Sequence, residues 1–250
     1  MKICIDAGHN FSGFDTGAVG NGLQEHIVTY KIADMLKDYL HSVGVKTLMT
    51  RPALETNVGY NLQSSLESRA NLANDNNCDL FISIHCNSNI NKSANGTETL
   101  ISAKGGEAEK LANAIQKNIV NELKTTDRGV RVDNEYLGYN LAVLEKTKMP
   151  AILIESAFIS NEKDAKLLKN DLISFSKAIF WGVCEYLGIN TASKINNNDV
   201  KELETVNDIV WELHHRGIIT DTSLWLSKLE NDKNDYWLAR KCINYIRTNK

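Results

Sequence analysis

Short apolar segments alternate with amphipathic helical segments from residue 2 to about residue 188. The run at 79–85 is apolar on both faces, which is typical of a strand buried inside a parallel sheet. Between such runs, hydrophobic residues recur at helical spacing, as in 25–43, where Gly44 is the expected stop. The alternation predicts an α/β fold with a mostly parallel twisted sheet flanked by helices on both faces. The predicted strands are 2–8, 45–50, 79–85, 96–102, 141–144 and 151–156, and the predicted helices are 25–43, 62–77, 108–123 and 162–187.

The composition changes after Gly188, and the change divides the chain. The segment 189–198 is polar, rich in Asn and Ser, and lacks periodicity, so we expect a linker there. Residues 199–250 show short helical patterns and predict a small all-α domain. Three of the four tryptophans of the chain lie in that domain, where filling a marginal core is favoured over stacking on sugars. The helical patterns cover 199–215, 221–230 and 235–247.

Charge and hydrophobicity argue against two classes of partner. The chain has 250 residues and a formal net charge of −3, which is too balanced to favour nucleic acid or a membrane surface. No apolar run approaches the ~20 residues that a transmembrane helix needs. The chain begins directly with the predicted first strand, so we expect no secretory signal and synthesis in the cytoplasm.

The five cysteines follow neither a metal-binding nor a disulfide pattern. They are scattered and odd in number, so we expect small buried residues in a reducing compartment. Cys86 adjoins His85 within a predicted strand, where neighbouring side chains point to opposite faces, so we do not expect it to be a metal ligand. The cysteines are Cys4, Cys78, Cys86, Cys184 and Cys242.

Four residues that can bind a metal or transfer a proton lie where predicted elements reach one edge of the sheet. His9 follows the first strand, His85 ends the strand at 79–85, and Glu155 ends the apolar run "AILIE". Glu25 begins the first helix, directly after the first loop. Because ligands of open α/β sheets bind outside the carboxyl ends of the strands, we expect these four side chains to converge.

Two histidines and a carboxylate form a known set of catalytic zinc ligands, which leaves a fourth position open for water. A second glutamate beside such a site can accept the proton of that water and deliver it to a leaving nitrogen. Each residue also has an ordinary structural explanation, such as a hydrogen-bonded histidine or a glutamate that complements a helix dipole. The joint placement of the four residues is what favours a metal centre.

The other histidines are weaker candidates. His41 and the pair His214 and His215 lie in the last turns of predicted helices, where positive charge is favoured. His26 adjoins Glu25 but points ~100° away around the helix.

Several motifs together resemble the zinc-dependent N-acetylmuramoyl-L-alanine amidases of the Amidase_3 family. They are "DAGHN", "DTGAVGNGLQE", "TRP", "SRANLAN", "CDLFISIHCNS", "NGTETL", "DRGVR" and "LAVLEKTKMPAILIESAFISN", and they keep their order over 1–188. The resemblance implies that one zinc ion is bound by His9, Glu25 and His85, and that Glu155 is the catalytic glutamate. It also implies the substrate, which is the amide between N-acetylmuramic acid and the L-alanine of the peptidoglycan stem peptide.

The sequence departs from the family pattern at five positions that are not expected ligands. We expect these departures to alter the shape of loops near the expected site, and with it the substrate preference, but not the reaction. The positions are Ala7, Asn10, Cys86, Ser156 and Ala157.

Four further polar residues lie in family-like segments, and each has two interpretations. Arg69 is favoured to pack or to pair with a carboxylate rather than to contact substrate. Arg128 is equally balanced between a structural role and the wall of a groove. Asn87 is favoured to be structural, and Asp6 either supports a ligand by a hydrogen bond or belongs to a turn.

The resemblance also suggests a biological setting. A wall hydrolase without a secretory signal acts after release, as a phage or prophage endolysin that leaves through holin pores or as an autolysin of a lysing mother cell. We expect peptidoglycan as the partner, and we expect 199–250 to bind the wall, to self-associate or to cap the catalytic domain. Two alternatives remain, a zinc peptidase or deacetylase with the same fold and a wall-binding protein without activity.

Overall fold

The protein has an α/β fold, and the computed structural model describes residues 1–190. Residues Met1–Ile189 form one compact unit. The strands are β1 (Lys2–Ala7), β2 (Val19–Gly20), β3 (Leu23–Gln24), β4 (Lys46–Met49), β5 (Leu80–Asn87), β6 (Thr97–Ile101), β7 (Asp127–Val132) and β8 (Ala151–Phe158). The helices are α1 (Glu25–Ser42), α2 (Leu62–Asp75), α3 (Glu107–Leu123), α4 (Asp133–Leu137), α5 (Ala142–Glu145), α6 (Glu162–Asn170) and α7 (Leu172–Leu187).

Six strands form the central sheet in the order β4-β1-β5-β8-β6-β7. The first four strands in this order are mutually parallel, and β6 then pairs antiparallel with β8 and parallel with β7. As a result, the carboxyl ends of β1, β5 and β8 lie at the same edge as the first residues of β6 and β7. We call this edge the site edge. The predicted α/β fold with a mostly parallel sheet is confirmed.

Apolar side chains fill both faces of the sheet. On one face, Phe81 and Leu153 of the central strands pack with Ala73 of α2 and with Val143 and Leu144 of α5. On the other face, α7 packs against α1 and α3. Gly182 of α7 permits this close approach, because a Cβ atom there would lie 2.5 Å from the Cα of Ile115 in α3. Burial of these side chains, at ~25 cal/mol per Å² of apolar surface, is the main stabilising contribution.

Two predicted elements differ from the structure. The segment 141–144, predicted as a strand, forms the short helix α5, and the backbone N–H of Leu141 donates to Asp133 Oδ2 at 2.8 Å. An apolar run of four residues does not distinguish a strand from a buried helix. The predicted helix 162–187 is two helices, because the backbone leaves the helical conformation at Asp171.

Other predictions concern cysteines, membranes and the C-terminal segment. Cys4, Cys78, Cys86 and Cys184 are free and buried. Among residues 1–190, no helix combines the length and the apolar character needed to cross a bilayer. The predicted helical domain at 199–250, with Cys242, and most of the predicted linker lie outside the described residues.

Candidate metal centre

Three side chains meet at the site edge with their ligand atoms close together. His9 Nε2 lies 2.9 Å from Glu25 Oε1, and His85 Nδ1 lies 3.2 Å from the same oxygen. The two imidazole nitrogens are 3.1 Å apart. No other cluster of this kind, with three His, Cys, Asp or Glu groups, occurs within residues 1–190.

Each of the three residues comes from a different element. His9 follows β1, Glu25 is the first residue of α1, and His85 lies in the last third of β5. Gly8 brings the first loop close to β5, because a Cβ atom there would lie 2.5 Å from the His85 ring. The histidine side chains keep 20% and 18% of their surface exposed, whereas Glu25 keeps 4%, so the cluster opens to solvent on the histidine side.

A short hairpin places Glu25. β2 and β3 are joined by Asn21 and Gly22, which both have positive φ, as a tight two-residue hairpin turn requires. Asn21 Nδ2 donates to the carbonyl of Ile159 at 2.9 Å, which fixes the hairpin beside the end of β8. The first turn of α1 therefore begins at a fixed position, with a carboxylate near the positive end of the helix dipole.

Glu25 is held by two backbone donors. Its Oε2 accepts from the N–H of Ala18 at 2.7 Å, and its Oε1 accepts from the N–H of Cys86 at 2.9 Å. Both oxygens are thus oriented before any ligand binds. Cys86 contributes its backbone to the site.

Asp15 orients His9 from the side opposite to the cluster. Asp15 Oδ1 lies 2.6 Å from His9 Nδ1, which leaves Nε2 of the ring facing Glu25 and His85. A carboxylate on the far nitrogen of a ligating histidine fixes its orientation and raises its basicity. We had expected Asp6 as a candidate for such support, and the sequence interpretation did not identify Asp15.

The backbone of His9 is left-handed, with φ of 66°, a conformation that costs a residue other than glycine roughly 1–2 kcal/mol. The guanidinium of Arg69 holds this loop. Its Nη2 donates to the carbonyl of His9 at 2.6 Å, and its Nη1 donates to the carbonyl of Ala7 at 2.8 Å. Nη2 also donates to Asn10 Oδ1 at 3.0 Å.

Arg69 is itself neutralised by a buried carboxylate, as the favoured interpretation expected. Its Nη1 lies 2.7 Å from Asp6 Oδ1, and both residues are almost fully buried. Ser83 and Thr50 also donate to Asp6, at 2.6 and 2.7 Å. Burial raises the pKa of Asp6, but the charge of Arg69 and the two hydroxyl donors outweigh burial and hold that pKa below 3.8.

The charges around the cluster favour a bound cation. Burial lowers the pKa of His9, but hydrogen bonds to Asp15 and Glu25 outweigh it and raise that pKa to about 10. Burial raises the pKa of Glu25, yet hydrogen bonds with His85 and His9 bring it well below its ordinary value. Two carboxylates therefore stabilise positive charge where the imidazole nitrogens meet.

Glu155 stands beside His85 on the neighbouring strand. The two residues are direct partners in the β5–β8 register, so their side chains share a face of the sheet. Oε2 of Glu155 is buried and has no hydrogen-bonding partner within residues 1–190. Burial, together with the nearby charges of Glu25 and Glu98, raises the pKa of Glu155 well above its ordinary value.

Glu98 continues the row of carboxylates across the sheet. It pairs directly with Glu155 in the β6–β8 register and is 1% exposed. Asn87 Nδ2 donates to its Oε1 at 2.6 Å, and Arg128 Nε donates to its Oε2 at 3.0 Å. Asn87 thus makes the structural contact that we favoured for it. The sequence interpretation did not identify Glu98.

The separations in the cluster fit a small divalent ion. Ligand atoms at ~2.0–2.1 Å from a tetrahedral zinc ion would be about 3.3 Å apart, and the three observed separations are 2.9, 3.1 and 3.2 Å. The donor set of two imidazoles and one carboxylate is one that zinc prefers. The unpartnered oxygen of Glu155 belongs to the residue paired with His85 on the neighbouring strand.

Other predicted candidates lie away from the cluster. His26 Nδ1 contacts the carbonyl of Thr16 at 2.9 Å, and His41 Nε2 contacts Thr47 Oγ1 at 2.6 Å. His214 and His215 lie outside the described residues.

Comparisons with known proteins indicate the family of the chain. The profile of the family described as N-acetylmuramoyl-L-alanine amidase, Amidase_3, matches residues 3–185. The N-acetylmuramoyl-L-alanine amidase LytC of Bacillus subtilis (strain 168) is 37% identical over 169 residues, which cover 67% of this chain and 31% of LytC. The endolysin of Bacillus phage SPP1 is 34% identical over 201 residues, which cover 76% of this chain and 68% of the endolysin.

A solved structure has the same fold. The crystal structure of an N-acetylmuramoyl-L-alanine amidase from Clostridium difficile 630 matches with a TM-score of 0.65 and 30% sequence identity. The match covers 76% of this chain and 97% of that chain. The chain spans only 31% of the length of LytC, so the similarity to LytC concerns one part of a longer protein.

Proposed function

The chain belongs to the Amidase_3 family of N-acetylmuramoyl-L-alanine amidases, and on that premise we propose that it hydrolyses bacterial peptidoglycan with one bound zinc ion. The bond cleaved is the amide between N-acetylmuramic acid and the L-alanine of the stem peptide. His9, Glu25 and His85 hold the metal, and Glu155 is the catalytic residue.

One observation carries the proposal. Three ligand atoms converge within hydrogen-bonding distance of one another, and a carboxyl oxygen without a partner in residues 1–190 stands on the strand paired with His85. An unpartnered buried carboxyl group costs free energy, so its persistence beside a metal-binding cluster supports a chemical role.

A zinc ion held by His9, Glu25 and His85 would supply Lewis-acid chemistry. When bound, zinc lowers the pKa of a water molecule to ~7 and polarises a carbonyl group.

The residues of the chain perform the proton transfers. Glu155 accepts a proton from the attacking water, whose oxygen forms a bond with the amide carbon. The carbon–nitrogen bond then breaks, and Glu155 returns the proton to the alanine nitrogen, which leaves as an amine. Asp15 and the backbone donors to Glu25 keep the ligand atoms oriented throughout.

The pKa of Glu155 suits this double role. Burial and the charges of Glu25 and Glu98 raise that pKa, which favours the protonated carboxyl group. A divalent cation nearby favours the carboxylate and restores a base. A carboxyl group under two such opposing influences can both accept and deliver a proton.

The replacement Glu155→Gln tests the proposal. We expect wall hydrolysis to fall roughly 10²–10⁴-fold, with one zinc ion per chain still bound by elemental analysis. The matched control is Glu162→Gln, because Glu162 is an exposed residue of α6 whose partner is Lys166. Undiminished hydrolysis by the Glu155→Gln protein would remove Glu155 from the mechanism.

Product analysis distinguishes the amidase from the other zinc hydrolases. Mass spectrometry of digested walls should reveal new L-alanine amino termini, without free acetate and without cleavage inside the stem peptide. Acetate release would indicate a deacetylase, and new termini within the peptide would indicate a peptidase. A chain that binds zinc and walls but releases nothing would be a binding protein.

The proposal also concerns when the chain acts on the cell wall and what its C-terminal segment does. The named relatives include a phage endolysin and bacterial amidases, and we propose action on the wall after release, with residues 199–250 as a second wall contact. Cosedimentation with purified walls should be stronger for the full chain than for residues 1–189. Equal cosedimentation would exclude this role for the C-terminal segment.

A further inference from the structure

Two arginines share one buried carboxylate beside the proposed catalytic residue. Arg128 Nε lies 3.0 Å from Glu98 Oε2, and Arg131 Nε lies 3.4 Å from the same oxygen. The Glu98 side chain keeps 2% of its surface exposed, whereas Arg128 keeps 26% and Arg131 keeps 39%. Two positive charges thus oppose one negative charge, and the positive groups are the ones that solvent reaches.

Aromatic rings hold both guanidinium groups in place. The Cζ of Arg128 lies 4.9 Å from the centre of the Phe158 ring, and that of Arg131 lies 4.5 Å from the centre of the Tyr136 ring. Arg128 Nη2 also donates to the hydroxyl of Tyr136 at 2.9 Å. Stacked guanidinium groups lose little further entropy when they bind a planar carboxylate through two hydrogen bonds.

Donors remain available on both arginines. Within residues 1–190, Arg128 donates through Nε and Nη2 only, and Nε of Arg131, although it lies near Glu98, makes no hydrogen bond. A pair of fixed, partly exposed guanidinium groups with free N–H donors is a binding site for an anionic oxygen group.

A bulge directs Arg128 towards the site edge. In the β6–β7 register Thr97 pairs with Asp127 but Glu98 pairs with Gly129, so Arg128 is the extra residue. Gly129 has φ of 80°, which permits this irregularity. Bulges of this kind reorient a side chain next to functional sites.

The arginine pair lies on one defined side of Glu155. In the strand order, His85 on β5 is on one side of Glu155, and Glu98 on β6 followed by Arg128 on β7 is on the other. Directly paired side chains of an antiparallel pair lie about 5 Å apart. Arg128 and Arg131 on β7 therefore reach Glu98 from the side of Glu155 that is away from the metal ligands.

We propose that Arg128 and Arg131 bind the free α-carboxylate of the second residue of the stem peptide. This proposal rests on the proposed function, because it places the scissile nitrogen beside Glu155. In an extended peptide, that α-carboxylate lies roughly 6 Å beyond the nitrogen of the first residue, as standard bond lengths dictate. The enzyme is thereby specific for stem peptides whose second residue keeps its α-carboxylate rather than an amide.

Two synthetic substrates test this specificity. Both carry N-acetylmuramic acid, L-alanine, a γ-linked second residue and lysine, and they differ only in an α-carboxylate or an α-carboxamide on the second residue. We expect the wild-type chain to cleave the acid with a kcat/KM at least about tenfold above that of the amide, the range for a hydrogen bond to a charged group.

The variant Arg131→Met should reduce this ratio to near one. It leaves Arg128 paired with Glu98, so no buried carboxylate loses its partner. The matched control is Lys104→Met, which removes one positive charge from an exposed residue paired with Glu135 at 3.7 Å, and its ratio should equal that of the wild type. Arg131→Lys keeps the positive charge but lacks the paired N–H donors of a guanidinium group. If Arg131→Met proves poorly folded, Arg131→Lys replaces it, and its ratio of acid to amide cleavage should lie between one and the wild-type ratio.

Binding of the free tripeptides is measured by calorimetry alongside turnover, which separates the two proposals. Cleavage of both substrates with a wild-type ratio near one, or a ratio unchanged in Arg131→Met, overturns the carboxylate site and leaves the amidase function intact. Tight binding of the acid tripeptide by a chain that cleaves neither substrate overturns the amidase function alone. If the chain neither cleaves the substrates nor binds the acid preferentially, both proposals are wrong.

Discussion

Arg69→Met is the substitution that most directly tests how the fold supports the metal centre. It removes the positive partner of Asp6 and the donors to the carbonyls of Ala7 and His9. Methionine fills part of the same volume without the guanidinium, so lost packing is a small part of the effect.

The expected loss of stability follows from burial. The Arg69 and Asp6 side chains are 2% and 1% exposed, and removing one partner of such a pair typically costs 3–5 kcal/mol because a buried charge is left alone. Natural domains have about 5–15 kcal/mol of stability, so the variant should fold but unfold much more easily. The left-handed backbone of His9, which costs roughly 1–2 kcal/mol, also loses a hydrogen bond that holds it.

The assay has two readouts on the metal-free full chain. Urea unfolding followed by circular dichroism gives the change in stability, and competition with a chromophoric chelator gives the zinc dissociation constant. We expect a loss of about 3–5 kcal/mol and roughly tenfold weaker zinc binding, since about 1.4 kcal/mol is tenfold in affinity.

The control is Lys146→Met. Lys146 pairs with Glu67 at 2.6 Å, but their side chains are 40% and 38% exposed, so solvent screening should make the loss of stability small. If Arg69→Met costs no more than this control and leaves zinc affinity unchanged, the argument that Arg69 maintains the His9 loop is wrong.

Three further predictions concern the surroundings of the cluster. Asp15→Asn should weaken zinc binding about 10–100-fold, measured by the same competition assay, because it removes the carboxylate that orients His9. The pKa of Asp6 in the folded protein lies below its ordinary value, so the stability that Asp6 contributes should be present at neutral pH and lost as the pH falls through the folded pKa. Asp6→Asn should therefore flatten the acid side of a curve of stability against pH. Gly17→Ala should abolish zinc binding, because its Cβ would lie 2.6 Å from the His9 ring, whereas Gly13→Ala, with similar φ and nothing within 4 Å of its Cβ, should retain zinc.

The sequence predicted the fold class because hydrophobic periodicity is a local property. The strand that contains His85 and the strand that contains Glu155 are both near-continuous apolar runs. Because carboxyl ends of parallel strands share an edge, the sequence alone predicts that these residues lie close together. The structure places their side chains on one face, and their catalytic and ligand roles are part of the proposed function.

Hydrophobic periodicity does not predict the contacts that support the candidate site. A strand pattern carries no direction, so nothing in 97–101 indicated that β6 runs opposite to β8 and thereby pairs Glu98 with Glu155. Asp15 lies in an irregular loop, where no repeat marks one carboxylate among several. The partnership of Arg69 with Asp6 joins residues 63 positions apart, and only the packing of α2 on the sheet reveals it.

The reversed direction of β6 also has a practical use. Because β6 begins at the site edge, the exposed residues 102–106 that follow it lie at the other end of the strand, away from His85 and Glu155. A cysteine-free tag or a biotin acceptor inserted there would attach the protein to a solid support with the site edge facing the solution. Insoluble cell-wall fragments would then reach the immobilised molecule unobstructed.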